Sequence, residues 1–191
     1  MFQHCLRQLC AGLCLGLFLG PALADEGEVS EDLREALKDA VQESTSFDDE
    51  FDAQVWLMDM SGRLASTLPN EEKRLMILRK VHAEAARVDL DPELVLAVIQ
   101  VESNFDRFAV SVVGARGLMQ IMPFWMDEIG RPDDNLFDIA TNLRYGCTIL
   151  RHYLDKENGN LTRALARYNG SLGSMRYPSL VYTALANRWQ R

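Results

Sequence analysis

The stretch LVLAVIQV, from Leu94 to Val101, is apolar at every position except Gln100 and constrains the fold more than any other part of the chain. A helix that is apolar on all sides has to be surrounded by other elements. The residues before it fix it as a helix, because Asp91 can accept a first-turn amide and Pro92 suits the first helical position. The run then ends on Glu102. In a helix starting at Pro92, residue 102 lies four after Val98 and seven after Val95, so the 3.6-residue period puts its carboxylate on the side of those valines. An ionised carboxylate in apolar surroundings costs several kcal/mol unless it is paired or neutralised. The carbonyl end of the helix dipole opposes its charge as well. Both effects raise a carboxyl pKa, and a glutamate raised to about 6 can hold a proton near neutral pH and donate it. The alternative is an ordinary glutamate at a frayed helix end, and helical phase alone does not choose between the two.

The rest of the chain supplies helices to surround this one. NEEKRLMILRKVHAEAARVD has acids early and bases late, with Leu75, Leu78 and Val81 at helical spacing. VSVVGARG reads as a loop, and LMQIMPFWMDEIG as one or two short helices interrupted near Pro123. A long amphipathic helix follows, for which Asp138 is a candidate cap. LTRALARYNGS and YPSLVYTALANRWQR complete the series. No strand pattern of any length occurs, so the fold class expected is all-α, with five to eight helices.

The first two dozen residues are set apart from this body. MFQHCLRQ carries positive charge, LCAGLCLGLFLG is apolar but too short to span a bilayer, and ALA ends at Ala24. Residues 1–24 are therefore read as a secretory signal peptide. Cys10 and Cys14 each follow leucine rather than a small residue, so no lipoprotein signal is read. The chain has 20 basic and 28 acidic residues, and loss of the signal removes only Arg7, leaving 19 against 28 and a net charge of −9. An acidic body argues against nucleic acid or an anionic membrane as partner. Cys147 alone remains of four cysteines, on an apolar helical pattern where cysteine behaves as a small hydrophobe. His4, His82 and His152 have no ligand spacing, so neither metal nor cofactor is expected.

Residues 25–70 form an acidic, moderately helical segment. Ser30 can cap EDLREALKDAVQE, whose Leu33, Ala36, Leu37, Ala40 and Val41 share one face. Farther on, Phe51, Val55, Met58 and Leu64 recur at roughly helical spacing. The segment could be a supporting arm, a partner-binding element, or a cover for a groove. It is expected to pack on the main body, because Phe51, Val55 and Trp56 call for burial.

Three motifs decide the standing of Glu102. ESNF begins at Glu102, GARGLMQIMP runs from Gly114 to Pro123, and ARYNG runs from Ala166 to Gly170. Gly114 and Gly117 permit backbone angles closed to other residues, Gln120 offers both donor and acceptor, and Tyr168 and Asn169 stand at a helix end. In this order and spacing the three motifs resemble the soluble lytic transglycosylase family, which shares its core with goose-type lysozyme. The resemblance covers Glu72 to Trp189 and implies a lysozyme-like helical catalytic domain over 71–191. One departure is that Gly170 and Ser171 follow the tyrosine-asparagine pair where the family usually has alanine and glycine.

The resemblance implies that Glu102 is the single catalytic acid/base and that peptidoglycan glycan strands are the substrate. Glu102 would protonate the bridging oxygen between N-acetylmuramic acid and N-acetylglucosamine. It would then deprotonate the C6 hydroxyl that closes a 1,6-anhydro ring. Ser103, Ser111, Gln120, Met122, Tyr168 and Asn169 match positions that contact the sugar or shape the cleft, and Tyr182 matches an aromatic of the last helix. The export signal at 1–24, with no lipoprotein cysteine, points to a soluble periplasmic protein once the leader is removed near Ala24. Two other readings stand beside this one: a hydrolytic lysozyme, in which a second carboxylate such as Asp106 activates water, and a non-catalytic peptidoglycan-binding assembly factor. Asp106 is expected to cap or to form a salt bridge after the helix instead. The sequence leaves the oligomeric state, strand-end preference and stem-peptide requirement open.

Overall fold

The structure is a computed structural model that describes residues 49–190. The signal peptide read at 1–24 and the amphipathic stretch after Ser30 lie outside the described residues. Among the described residues seven α-helices follow one another: α1 (Glu50–Leu64), α2 (Glu71–Arg87), α3 (Pro92–Ser103), α4 (Trp125–Ile129), α5 (Ile139–Lys156), α6 (Leu161–Tyr168) and α7 (Arg176–Ala184). A single π-helical turn, Leu185–Trp189, continues α7. Among the described residues there is no strand, only two isolated bridges, Val110 to Arg116 and Arg116 to Ile121. These bridges occupy the glycine loop and the first residues of the stretch read as one or two helices, leaving α4 as its one helical piece. The class is all-α.

The helix starts follow from short polar side chains. Asp49, Asn70, Asp91, Asp138 and Asn160 each accept a first-turn amide of the helix they precede. Pro92 stands at the first position of α3, as its fixed φ favours. That helix is the centre of the fold. Leu94 to Ile99 are all buried, and α2, α7 and the π-turn pack around it. α2 also packs on α5, and α5 on α6, which closes the body on its other side.

α1 packs on this body with Trp56 and Leu64 buried as expected, but with Phe51 and Met58 on the outside. Its buried residues are Ala53, Trp56, Leu57, Met60, Ser61 and Leu64, whereas Phe51 is 70% and Met58 43% exposed. Of the stripe read from Phe51, Val55, Met58 and Leu64, only Leu64 is buried, and the other three lie about half a turn from the centre of the buried face. Trp56 decides the phase. Its ring is the largest apolar surface on the helix, and its Nε1 reaches Glu93 Oε1 of α3 at 3.0 Å. The end of α1 is fixed by an exchange with the last residues of the chain. Arg63 Nη1 donates to the Arg188 carbonyl at 2.7 Å, and Arg188 Nη2 donates back to the Arg63 carbonyl at 2.7 Å. The turn into α2 is held by buried Arg74, which donates to Ser61 Oγ and to the carbonyls of Leu68 and Pro69.

Candidate active site

Glu102 lies in the last turn of α3. The helix stops two residues later because Asn104 takes a left-handed conformation, φ 47° and ψ 41°, and Phe105 follows at φ 67°. Left-handed backbone costs a non-glycine residue energy and persists only where its surroundings hold it. Here Phe105 is buried, with its ring 5.6 Å from that of Trp189. The stop leaves the Glu102 side chain in the wall of an open cleft of about 510 Å³, lined also by Val101, Asn169, Ser171, Ser174, Arg176, Tyr177 and Leu180. The cleft lies between the end of α3, the end of α6 and the start of α7.

Burial pushes the Glu102 carboxyl up to about 7, against the opposing effect of a hydrogen bond from the Tyr177 hydroxyl. That bond, Tyr177 Oη to Glu102 Oε1, is 2.6 Å long and spans 75 residues of sequence. It points one carboxylate oxygen and leaves the other free toward the cleft. Tyr177 is itself buried, and its own ionisation lies well above the ordinary tyrosine value, first through desolvation and then through the charge of Glu102. It is therefore a donor across the whole working pH range. Tyr168 is held in the same sense, by desolvation and then by Glu102.

The glycine loop is tied to this carboxylate from below. Ser103 Oγ donates to the Leu118 carbonyl at 2.8 Å, which fixes the loop against the residue next to Glu102. Tyr168 Oη donates to the Met119 carbonyl at 2.8 Å, joining α6 to the same loop. Ser111 Oγ accepts the Ala115 amide at 3.0 Å, and Gln120, at φ 50°, donates its Nε2 to the carbonyls of Ala109 and Gly117. These four sequence-selected side chains thus hold the loop in place, and Met122 lies half-buried just beyond it. Asn169 lines the Glu102 cleft directly. Tyr182 does not; its hydroxyl pairs with Thr162 Oγ1 at 2.8 Å. The aromatic hydroxyl that reaches Glu102 comes from Tyr177, five positions earlier.

Asn142 of α5 is a further residue that the sequence did not single out. It is 1% exposed, accepts the Met119 amide at 2.8 Å, and donates to the carbonyls of Arg116 and Leu136 at 2.9 and 2.8 Å. Its amide satisfies three buried backbone groups of an irregular segment that has no ladder of its own. Gly117, at φ 77°, passes so close that a Cβ there would strike this amide and the Leu136 carbonyl. Gly146 of α5 is required for a similar reason, since Met119 occupies the place of its missing side chain. An asparagine on an otherwise amphipathic helix carries no local sign of this role, so no pattern in the sequence could have revealed it.

Glu102 is the sole carboxylate lining the cleft among the described residues. Asp106 lies on a separate groove with Phe105 and Arg107, where its Oδ1 accepts the Phe108 amide at 2.9 Å, the turn-capping role expected of it. Cys147 is buried in the core with its thiol pushed up to about 12 by desolvation, which makes it no nucleophile. Among the described residues no cluster of histidine, cysteine or carboxylate side chains could hold a metal ion. A buried acid with an accessible oxygen, a fixed tyrosine donor and one neighbouring amide side chain can protonate a leaving oxygen and later take a proton back.

Residues 80–185 match the family model described as the transglycosylase SLT domain. The chain belongs to that family. It is 39% identical over 90 residues to a protein named transglycosylase from Enterobacteria phage PRD1, an alignment covering 47% of this chain and 33% of the phage protein. It is 35% identical over 119 residues to membrane-bound lytic murein transglycosylase F of Desulfosudis oleivorans, covering 58% of this chain and 26% of that one. The chain therefore spans only about a quarter to a third of the length of the curated relatives it matches. A solved structure of an inactive mutant of the lytic transglycosylase Slt from Pseudomonas aeruginosa aligns at a TM-score of 0.47 and 22% identity, over 80% of this chain and 29% of that one. Among the described residues of the present chain, no helix is long and apolar enough to cross a membrane.

Proposed function

We propose that the protein is a peptidoglycan lytic transglycosylase that cleaves the β-1,4 bond between N-acetylmuramic acid and N-acetylglucosamine and leaves 1,6-anhydro ends. Residues 71–191 are the catalytic domain in this reading, and Glu102 is its acid and base. The observation that carries it is a single carboxyl at the cleft wall, held protonatable up to about 7 by burial and aimed by Tyr177. Hydrolysis by the common two-carboxylate route needs a partner carboxylate in reach of the same bond. A transglycosylase needs one group that first gives and then takes a proton, and a pKa near working pH serves both steps. Asn169 holds the sugar, while Ser103, Ser111, Gln120, Met122 and Tyr168 shape the cleft beneath it. Tyr182 supports α6 from α7 and acts only through that packing. The names of the phage and Desulfosudis relatives agree with the reaction proposed.

Export through the leader at 1–24, with release near Ala24, places this activity in the periplasm. In this reading the acidic segment at 25–70 is the part of the chain that meets a cell-wall assembly partner. The test is mass spectrometry of fragments released from purified peptidoglycan. The expected products are Glu102-dependent anhydro ends, lighter by one water than hydrolytic ends, with no release by Glu102→Gln. Asp106→Asn should keep most of the activity. Glu102-dependent reducing ends, or a loss in Asp106→Asn as deep as in Glu102→Gln, would replace this reading with that of a lysozyme.

A further inference from the structure

Arg176 is the one cation among the residues lining the Glu102 cleft. It stands at the first position of α7, immediately before Tyr177, and is exposed. Among the described residues no carboxylate lies within ion-pair distance of its guanidinium, although this is an acidic protein in which Arg63, Arg87, Arg144, Arg163 and Arg167 all have carboxylate partners. It does not serve Glu102 either. A guanidinium beside that carboxyl would hold it ionised, whereas its pKa is set by burial and the Tyr177 hydroxyl alone. A planar five-donor fork in a cleft, with the Ser171 and Ser174 side chains lining the same wall, is suited to a carboxylate from outside.

We infer that Arg176 makes the Glu102 cleft a receptor for a carboxylate carried by the glycan, so that muramyl residues bearing a free carboxylate bind in preference to neutral sugars. The inference rests on the glycan-cleaving reading of the cleft and narrows its substrate class. N-acetylglucosamine carries no carboxylate. Muramic acid carries one on its lactyl arm, free in a peptide-free strand and converted to an amide where a stem peptide is attached. In the second case the peptide's own carboxylates take its place. Both sources present the same group to Arg176.

The test is calorimetric binding to the Glu102→Gln variant, which holds substrate without turnover. Three tetrasaccharides serve as probes: a peptide-free muramyl strand, the same strand bearing stem peptides, and chitotetraose as the neutral sugar. Adding Arg176→Ala should weaken at least one muramyl probe about fivefold to tenfold, the range of a charge-assisted pair discounted for solvent exposure. Chitotetraose should be unaffected, and Arg176→Lys should recover part of the loss. A loss confined to the peptide-free strand identifies the lactyl carboxylate, and one confined to the peptide-bearing strand identifies the stem. Equal losses on all three probes, no loss on any, or no binding of either muramyl probe would overturn the inference. Cleavage of the same probes by the unsubstituted protein is scored separately. Arg176-dependent binding without any cleavage would overturn the transglycosylase reading and leave the carboxylate receptor standing.

Discussion

At the scale of single residues, the protein turns on the protonation of Glu102. Its folded-state pKa of about 7 lies above the ordinary value of 4.5, so the folded state holds this proton more tightly than the unfolded chain does. Below pH 4.5 both states are protonated and burial costs nothing through charge. As pH rises through the interval to 7 the folded state loses stability, by up to about 3 kcal/mol in the limit set by the shift. Glu102→Gln is therefore expected to raise the unfolding free energy at pH 8 and to leave it nearly unchanged at pH 4, as read by urea denaturation at the two values. Catalysis follows the same titration with the opposite emphasis, since the first step needs the proton in place. The rate kcat/KM should fall above pH 7 with unit slope. Tyr177→Phe removes the hydrogen bond that favours the charged form, so it should move this alkaline limb to higher pH. A limb that stays put would mean that the Tyr177 bond does not set the acidity of Glu102.

At the scale of elements, the decisive unit is the irregular segment from Val110 to Phe124, which packs against the end of α3 beside Glu102 with only isolated bridges in place of a regular hydrogen-bond ladder. It is held by single side chains from the helices around it: Ser103 from α3, Asn142 from α5 and Tyr168 from α6. Asn142→Ala would leave the Met119 amide and two carbonyls buried and unpaired. Its expected cost is about 3 kcal/mol, as several lost buried hydrogen bonds imply. Activity should drop more than stability predicts, because the displaced loop carries Gln120. Thermal denaturation and turnover measured well below Tm separate the two effects. A variant as stable and active as the original would mean that water or neighbouring groups replace the amide. The sequence made the helices on either side of this segment legible through caps and period, but not the asparagine between them. Its role depends on three partners that come from other parts of the chain.

At the scale of the whole molecule, α1 is continuous in packing with the helices behind it. Trp56, 3% exposed, fills the space against α3, and the paired arginine contacts tie the end of α1 to the last turn of the chain. Trp56→Ala should lower stability by about 3–5 kcal/mol, the range for large-to-small changes in a core. The unfolding should remain one transition followed by circular dichroism and by intrinsic fluorescence alike. Two separated transitions would mean that α1 is an independent arm. The same helix leaves Phe51 and Met58 on its outer side, where the amphipathic reading had placed the buried face. Period alone specifies a stripe, and the larger ring at Trp56 selects which stripe turns inward.

The sequence by itself determined the class of fold, the start and phase of α3, and the position of Glu102 at its end. All of these are local properties, fixed by capping residues and by a period repeated over a few turns. It also determined the family, because three short motifs kept their order and spacing. Only the tertiary structure decided that Tyr177 rather than Tyr182 meets Glu102 and that Asn142 supports the loop. Each of these depends on where the end of one helix meets the start of another, and no periodicity within either helix encodes that meeting.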